Sequence, residues 1–132
     1  MSFVLRARAF LVRSVTANGL QCRAMGKNQY LYQMQLTRPE LLTEGPTESE
    51  AEVLKAHGAY LEGLVEAGTV LLAGRTQTTD PEGFGIVILE AESESAAREL
   101  MENDPPVKVG LMTARLFPYR IAMVSESISG SS

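Results

Sequence analysis

The sequence predicts an α+β fold, a ferredoxin-like βαββαβ sandwich in which two helices cover one face of an antiparallel sheet. The first observation behind this prediction is the order of the apolar patterns, since stretches with strand-like and helix-like spacing follow one another as β-α-β-β-α-β. The second is the glycine and proline punctuation between those stretches. The third is size, because 132 residues, 45% of them apolar and 21% charged, suit one globular domain with a buried core.

The first strand is predicted over residues 28–37, where apolar and polar side chains alternate. Arg38-Pro39 ends it, because proline has no N–H to donate to a sheet. One face of this strand is therefore strongly apolar and should point into the core. That face carries Tyr30, Tyr32, Met34 and Leu36.

The first long helix is predicted from about Glu48 to Ala67. Gly45-Pro46 marks the turn before it, and Thr47 followed by Glu50 has the spacing of a capping box. Gly68 ends the helix, since glycine adopts the left-handed backbone of a helix C-terminus without strain. An apolar stripe at three- and four-residue steps indicates which side is buried. The stripe consists of Val53, Leu54, Leu61, Leu64 and Val65.

Two further strands are predicted over residues 70–73 and 84–89, and the second is apolar on both faces and therefore belongs inside the sheet. A shorter helix from Ser93 to Asn103 follows, with Ser93 as its N-cap. The last strand is predicted over residues 111–123. Residues 124–132 are rich in serine and poor in apolar side chains, so they are expected to form a disordered tail.

One sheet face is left without a cover in this architecture, although the strands are apolar on both sides. A second copy of the chain packed sheet to sheet would cover it, which predicts a homodimer, with Phe117 and Tyr119 near the contact. Residues 40–132 carry a net charge of −10, which makes nucleic acid an improbable partner. No apolar run has the length of a membrane span, so no membrane partner is expected.

Residues 1–24 differ from the rest of the chain, because arginines alternate with apolar residues and acidic residues are absent. We interpret them as an extension that precedes a domain over residues 25–123, and a translation start at Met25 is one explanation. A mitochondrial transit peptide is the alternative, and a structural arm is a third. Cys22, the single cysteine, has no partner for a disulfide, which favours the cytoplasm as location.

The best candidates for chemistry are His57, the only histidine, and Asp104. His57 follows Leu54 by three residues and precedes Leu61 by four, which places it on the inner side of the first helix or at its margin. An imidazole titrates near neutral pH, and a carboxylate can fix its tautomer, so the two together can move protons. Each residue alone also has a structural interpretation, as a core histidine and as a helix cap.

Short motifs in a recognisable combination are spread along the chain from Gln29 to Met123. These motifs are Arg38-Pro39-Glu40-Leu41-Leu42, Gly45-Pro46-Thr47-Glu48, His57-x-x-Tyr60-Leu61, Glu66-Ala67-Gly68, Leu72-Ala73-Gly74-Arg75-Thr76, Phe84-Gly85-Ile86-Val87, Glu90-Ala91-Glu92-Ser93, Met101-Glu102-Asn103-Asp104-Pro105 and Gly110-Leu111-Met112-Thr113-Ala114. With this set of motifs, the sequence resembles the YCII (YciI-like) family.

The resemblance implies a dimeric α/β barrel built from two ferredoxin-like domains. It also implies that His57 and Asp104 are the family's catalytic histidine and aspartate, and that Arg75, Tyr60 and Lys108 lie near the ligand. Arg75 could bind a carboxylate or a phenolate, or else pair with a nearby glutamate as a solvated strand end. Tyr60 is expected to pack rather than donate a proton, and Lys108 to be surface charge. Some relatives take part in the breakdown of substituted aromatic rings.

The favoured hypothesis is a cofactor-independent enzyme acting on a small compound, for which the resemblance suggests an aromatic or cyclic ring: a lyase, an isomerase or a dehalogenating hydrolase. No cofactor is expected, because phosphate-binding and dinucleotide-binding glycine motifs are absent. No metal site is expected either, since one histidine and one distant cysteine cannot form a zinc site. The alternatives are a small-molecule-binding dimer without catalysis and an accessory module for another protein. An open, polar pocket that joins His57, Asp104 and Arg75 would favour the enzyme, whereas a closed cavity with His57 bonded only to backbone would favour the alternatives.

Overall fold

A computed structural model describes residues 27–129. The predicted extension over residues 1–24 therefore lies outside the described residues, as do the last three residues of the tail. The described part contains four strands, two longer helices and three single-turn helices. In chain order these are β1 (Asn28–Leu36), α1 (Leu41–Glu44), α2 (Glu48–Glu66), β2 (Val70–Arg75), β3 (Gly85–Ala91), α3 (Glu94–Glu102), α4 (Pro105–Lys108), β4 (Met112–Tyr119) and α5 (Glu126–Ser129).

The four strands form one sheet in the order β2-β3-β1-β4, with every neighbouring pair antiparallel. This is the strand order of the ferredoxin-like sandwich, so the predicted α+β fold and βαββαβ order are confirmed. β1 lies in the middle of the sheet, where Tyr32 is opposite Val87 of β3 and Leu116 of β4. Because directly opposite residues share a face of a sheet, this register fixes which side chains point toward the helices.

The last strand is shorter than predicted, since β4 ends at Tyr119 rather than at residue 123. Its partner β1 begins at Asn28, and the register already pairs Gln29 with Tyr119. Only Asn28 of β1 remains beyond this pair, so the residues after Arg120 have no strand to pair with. Ile121 instead donates its backbone N–H to the side-chain oxygen of Gln29 at 2.7 Å. β2, in contrast, is longer than predicted and reaches Arg75.

The core lies on the helix-facing side of the sheet. The alternation predicted for β1 is present, since Tyr30, Tyr32 and Met34 are buried and the residues between them are half-buried. Leu36, the last residue of the predicted inner face, is only half-buried. α3 closes this side with Ala97 and Met101. Burying these side chains supplies the main free energy of folding, at roughly 25 cal/mol per Å² of apolar surface. The buried cluster consists of Tyr30, Tyr32, Met34, Val70, Val87, Leu89, Ala91, Ala97 and Met101.

α2 covers the same face in a different way, because none of its 19 residues is buried. Leu61 and Leu64 pack against the edge of the core and are only half-buried. Of the predicted apolar stripe, Leu61 and Leu64 contact the core and Leu54 faces the space above the sheet, but Val65 is 50% exposed, so its inclusion was wrong. The helix does not close onto the sheet along its whole length. The space that remains beneath α2 is the cavity described below.

The opposite face of the sheet carries apolar side chains that no described helix covers. Leu31 is opposite Ile88 of β3 and Phe117 of β4, and Leu72 of β2 is opposite Ile88. Tyr119, also on this face, is 43% exposed. The sheet is therefore apolar on both sides, as its sequence indicates.

The predicted tail contains one helical turn, α5, within the described residues. It begins after Ser125, whose hydroxyl oxygen accepts the backbone N–H of Ser127 at 3.2 Å. A serine at such a position satisfies one of the free N–H groups of a helix start, which explains a turn in a segment poor in apolar residues. Between residues 27 and 129, the structure has no helix with the length and apolar character needed to cross a membrane.

Candidate functional site

α2 is the element that positions His57, and side-chain hydrogen bonds hold its N-terminus in place. Thr47 and Glu50 form the predicted capping box, in which the Glu50 N–H donates to the Thr47 hydroxyl at 3.2 Å and the Thr47 N–H donates to the Glu50 carboxylate at 2.9 Å. The guanidinium of Arg38 donates two hydrogen bonds to the same carboxylate, at 2.6 and 2.8 Å. These bonds lower the pKa of Glu50 to about 2, chiefly through Arg38. α2 thus starts at a fixed point beside the end of β1.

Asp104 lies at the start of α4, immediately before two prolines. Its backbone oxygen accepts the N–H groups of Val107 and Lys108, but its side chain caps nothing in the helix. The carboxylate turns inward instead and is completely buried. The alternative interpretation of Asp104 as a simple helix cap is therefore wrong, although the residue does begin a short helix.

His57 and Asp104 meet, as the sequence predicts. The ring nitrogen Nδ1 of His57 is 2.6 Å from the carboxylate oxygen Oδ1 of Asp104. An ionised carboxylate can only accept hydrogen bonds, so Nδ1 carries the proton and donates it. In the neutral imidazole this leaves Nε2 unprotonated, and no described residue forms a hydrogen bond with Nε2. The His57 side chain is 19% exposed, so this nitrogen can be reached by a ligand.

Tyr32 is the third member of the cluster. Its hydroxyl donates to the other carboxylate oxygen of Asp104, Oδ2, at 2.8 Å. Burial raises the pKa of Tyr32 far above its ordinary value, and the negative charge of Asp104 raises it further, so the phenol stays protonated and remains a donor. The sequence did not reveal this role, because Tyr32 is simply one of the alternating apolar residues of β1. The one signal is chemical, since a tyrosine hydroxyl in a core needs a partner.

A cavity of about 700 Å³ lies between the sheet and the first two helices. α2 contributes His57 to its wall between Leu54 and Leu61, and α1 contributes Leu41 and Leu42. Most of the surrounding side chains are apolar, which suits a small organic compound better than a highly charged one. The strand and loop residues of the wall are Met34, Leu36, Gly45, Pro46, Ala73, Gly74, Arg75, Thr76, Thr78, Gly83, Phe84, Gly85, Ile86, Val87 and Met112.

Arg75 is the only arginine among the described residues that line this cavity. It is the last residue of β2 and lies opposite Gly85, on the same face of the sheet as Met34. Because Gly85 has no side chain, its neighbours approach it closely: an added Cβ would lie 3.3 Å from the Gly74 backbone oxygen and 3.7 Å from Cβ of Arg75. Arg75 forms no ion pair with any residue from 27 to 129, so the interpretation as a strand end paired with glutamate does not hold within that range.

Tyr60 and Lys108, the other two predicted ligand-binding residues, do not line the cavity. The Tyr60 hydroxyl donates to the backbone oxygen of Leu100 at 2.7 Å and so ties α2 to α3. Burial raises the pKa of Tyr60, with smaller contributions from Asp104 and Glu99. Lys108 is exposed on α4. The cavity wall therefore joins His57 to Arg75, whereas Asp104 bonds to His57 from behind and is not part of the wall, and neither are Tyr60 and Lys108. The wall is mainly apolar, although the enzyme hypothesis predicts a polar pocket.

Metal-binding side chains do not gather anywhere in the described part of the chain, where no three residues of histidine, cysteine, aspartate or glutamate form a possible site. The chemistry available to the cavity consists of an imidazole nitrogen that can exchange a proton, a buried carboxylate behind it, and a guanidinium that can bind a negatively charged oxygen. The walls between these groups are apolar. This combination suits proton transfer on a small compound with an anionic or hydroxyl oxygen.

Comparison with solved structures finds the same fold in 5-chloro-2-hydroxyhydroquinone dehydrochlorinase (TftG) from Burkholderia phenoliruptrix, in complex with 2,5-dihydroxybenzoquinone. The two chains are 26% identical, with a TM-score of 0.50 over 69% of this chain and 93% of the other. SnoaB from Streptomyces nogalater, a cofactor-independent oxygenase, is a more distant match, with 11% identity and a TM-score of 0.39 over 76% of this chain and 99% of the other.

Among characterised sequences, derivative of benzaldehyde biosynthesis cluster protein C from Emericella nidulans is 30% identical over 77 residues. The match covers 52% of this chain and 79% of that protein. The model of the YCII-related domain matches residues 30–118, a range that begins in β1, ends in β4 and includes every residue of the cluster around Asp104. The chain therefore belongs to the YCII family, with the ferredoxin-like domain of the dimeric α/β-barrel superfamily.

Proposed function

We propose that this protein is a cofactor-independent enzyme that moves a proton on a small ring compound bearing an ionisable oxygen. The observation that carries the proposal is the bond between His57 and Asp104, which leaves the second imidazole nitrogen available at a cavity that also contains Arg75. A histidine bonded only to backbone beside a closed cavity would have favoured a binding protein. This histidine is bonded to a buried carboxylate, as a general base requires.

His57 would act through Nε2. In the resting state Nδ1 donates to Asp104, and Nε2 accepts a proton from a hydroxyl group or a carbon atom of the substrate. The imidazole then carries a positive charge, which the Asp104 carboxylate at 2.6 Å stabilises. Asp104 is completely buried, so water does not screen this interaction as it would at a surface. Asp104 orients the ring and does not touch the substrate.

Arg75 would bind the negative oxygen that forms when the proton leaves. A guanidinium offers two parallel N–H donors that match a carboxylate or a phenolate, and Arg75 has no ion pair within the described residues to compete for them. The apolar wall would hold the carbon ring. The dehydrochlorinase relative is a precedent for this substrate class, since the compound in its structure is an oxygenated ring.

Two reaction types fit this arrangement. In an isomerisation, His57 returns the proton to a different atom of the ring, and no other bond breaks. In an elimination, the electron pair of the broken bond moves into the ring and a leaving group departs as an anion with its own bonding pair. Neither type needs an external oxidant, and neither needs a metal or an organic cofactor. A dehalogenating elimination is the variant closest to the named activity of the dehydrochlorinase relative.

The test combines a ligand search with one substitution. Hydroxylated and carboxylated ring compounds are screened by the rise in melting temperature that specific binding produces. Compounds that bind are incubated with the protein, and their conversion is followed by NMR. We then expect His57→Asn to abolish conversion while binding persists, because the asparagine amide can still donate to Asp104 but has no nitrogen in the place of Nε2.

Arg75→Met gives the second arm, with Arg98→Met as its matched control. Arg98 lies on the outer side of α3 in an ion pair with Glu94, far from the cavity wall. Arg75→Met should weaken binding of anionic compounds about tenfold or more, as expected for one charged hydrogen-bonded pair. Binding without any conversion by the unmodified protein would contradict an enzyme and favour the alternative, a non-catalytic binding protein.

We further propose that the protein acts as a homodimer whose two sheets face each other. The uncovered apolar residues Leu31, Leu72 and Phe117 support this arrangement, because isolated sheet faces of this kind are rarely left to solvent. Membership of a superfamily of dimeric α/β barrels supports it as well. The cytoplasm stays the predicted location, or the mitochondrion if residues 1–24 act as a transit peptide. Tyr60 and Lys108 are left out of the proposed site because they lie outside the cavity wall.

A further inference from the structure

We propose that Tyr32 is a positioning residue, which fixes the Asp104 carboxylate so that its oxygen Oδ1 faces Nδ1 of His57. The inference rests on the proposed function, in which His57 works through its other nitrogen. Tyr32 belongs to the central strand, and its ring is 1% exposed. Its hydroxyl is 2.8 Å from Oδ2, and Nδ1 of His57 is 2.6 Å from Oδ1.

The two donors reach Asp104 from different layers of the fold. Tyr32 belongs to β1 of the sheet, whereas His57 belongs to α2, which is not closely packed on the sheet. The carboxylate is carried by a third element, at the start of α4. A carboxylate on a single side chain can rotate, so one donor alone does not determine which oxygen faces the histidine. With one donor on each oxygen, a single orientation satisfies both hydrogen bonds.

Tyr32 is suited to this task because its hydroxyl stays protonated and therefore remains a hydrogen-bond donor. The phenol is buried among apolar side chains and faces a negative charge, and both effects keep its proton in place. The hydrogen bond joins two groups that are fully desolvated, where a donor to a charged acceptor is at its strongest. A phenylalanine at this position would fill the same apolar space and leave Oδ2 without that donor.

Tyr30 is a matched control that the chain itself offers. It lies two residues before Tyr32 on the same strand and the same face, and it is 6% exposed. Its hydroxyl makes no hydrogen bond to another described residue. Tyr30→Phe and Tyr32→Phe therefore remove the same atom from equivalent places in the sheet, and only the second removes a donor to Asp104.

The experiment uses the imidazole itself as the probe. His57 is the only histidine of the chain, so protein labelled with ¹⁵N-histidine and freed of any purification tag gives one pair of ring nitrogen signals. In the unmodified protein at a pH where the ring is neutral, we expect the proton on Nδ1. In Tyr32→Phe the ratio of the Nδ1–H to the Nε2–H tautomer should fall by about twofold to tenfold, the range equivalent to one hydrogen bond. Tyr30→Phe should leave the ratio unchanged.

A second measurement keeps the proposal testable if Tyr32→Phe does not fold. Fluorotyrosine incorporated at position 32 makes the phenol a stronger donor with little change of shape. The stronger bond should hold the carboxylate more firmly in the orientation that faces His57 and raise the ratio of the Nδ1–H to the Nε2–H tautomer, whereas fluorotyrosine at position 30 should not. A folded Tyr32→Phe variant with an unchanged tautomer ratio, or equal ratios in both fluorinated proteins, would overturn the proposal.

This result is independent of the proposed function. If His57→Asn retains conversion of a substrate, the acid/base role of His57 is wrong, but the tautomer ratio still reports whether Tyr32 orients Asp104. If the ratio does not respond to Tyr32 and His57→Asn is inactive, the enzyme proposal stands and only the positioning role fails. The two proposals therefore fail on different observations.

Discussion

At the scale of single residues, the dominant fact is one fully buried carboxylate, that of Asp104. Placing a charge in the interior is unfavourable by several kcal/mol unless partners compensate for the lost water. Asp104 has two such partners, His57 and Tyr32, one on each oxygen. The proposed chemistry and the stability of the fold are therefore linked at this point, because the group that orients the His57 imidazole also depends on that imidazole as a hydrogen-bond donor.

This link changes what His57→Ala should do. The substitution leaves the buried Asp104 carboxylate with Tyr32 as its remaining side-chain donor, and we expect the free energy of unfolding to fall by about 3 kcal/mol. Adding Asp104→Asn removes the buried charge and should recover part of that loss, whereas Asp104→Asn in the unmodified protein should be destabilising. Urea denaturation of the four proteins measures these effects.

The test is decided by the sign of two changes in the free energy of unfolding. Asp104→Asn should stabilise the His57→Ala protein and destabilise the unmodified protein. If the two substitutions simply add, the carboxylate does not depend on His57, and the pair contributes nothing to stability. His57→Asn is the internal control, since it keeps a donor near Oδ1 and should be less destabilising than His57→Ala.

The sequence identified His57 and Asp104 through their family resemblance and through the chemistry of an imidazole beside a carboxylate. It did not identify Tyr32, because an alternating apolar pattern places a tyrosine in the core without saying where its hydroxyl points. The contact between Tyr32 and Asp104 joins residues 72 positions apart, and only tertiary packing brings them together. Tyr60 shows the same limit. The family resemblance makes it a candidate ligand-binding residue, but its hydroxyl donates to a backbone oxygen of α3 instead of facing the cavity.

At the scale of secondary-structure elements, α2 is held mainly by polar contacts at defined points. Its N-terminus is bound by the capping box and by Arg38, its middle by His57, and the following turn by Tyr60. Apolar burial elsewhere in the domain is concentrated under α3 and in the central strands. Helix and strand positions could be predicted from periodicity and caps, but the separation of α2 from the sheet could not, because an apolar stripe has the same pattern above a packed core and above a cavity.

The Arg38–Glu50 pair makes the stability of this element depend on pH. The pKa of Glu50 is lowered from its ordinary value near 4.5 to about 2, chiefly by Arg38. A lowered carboxylate pKa stabilises the folded state above the unfolded-state pKa, and the effect is lost as the pH falls through the folded-state value. Glu50→Gln should therefore lower the melting temperature at pH 7, and the difference from the unmodified protein should shrink between about pH 4.5 and pH 2.

Glutamine can still accept the Thr47 N–H, so Glu50→Gln removes the charge and keeps the capping box. Glu52→Gln is the control. Glu52 lies two residues after Glu50 on the same helix, is exposed, and forms no ion pair with a described residue. Melting curves of the three proteins from pH 2 to pH 7 give the comparison. A Glu50→Gln difference that stays constant over this range would show that the ion pair does not stabilise the fold.

A larger side chain on the sheet could fill the cavity beneath α2. Ala73 of β2 lines the cavity and is opposite the buried Val87. Ala73→Phe should occupy much of the cavity and block ligand binding, while the melting temperature should stay within a few degrees, because the new ring enters space that no side chain occupies. Thermal shift with a bound compound measures the first effect, and circular dichroism the second. Unimpaired binding would place the ligand elsewhere.

At the scale of the whole molecule, the sheet is apolar on both faces and the described helices cover one. This asymmetry could be inferred from the sequence, since strand β3 has apolar residues at consecutive positions. The sequence pattern does not show what covers the second face. A second copy of the chain is predicted because it is the simplest cover and because the family resemblance implies a dimer. Leu31 is the best position for a test, because it lies on the middle strand β1 between Ile88 and Phe117.

Sedimentation of the unmodified protein should give twice the chain mass of 14.3 kDa. Leu31→Glu places a charge in the centre of the proposed contact and should shift the protein to the single-chain mass. Ala59→Glu adds the same charge on the exposed side of α2 and should leave the mass unchanged. A Leu31→Glu protein that still sediments as the unmodified protein does would move the contact to another surface.

The described residues of one chain already place the imidazole, the guanidinium and the apolar wall around one cavity, on the helix-covered side of the sheet. In the proposed dimer each copy would therefore carry its own ligand site, and the two sites would lie on opposite outer sides of the paired sheets. Saturation with ligand should then follow a simple hyperbola at every protein concentration. Sigmoidal saturation would instead reveal that the copies communicate through the contact between their two sheets.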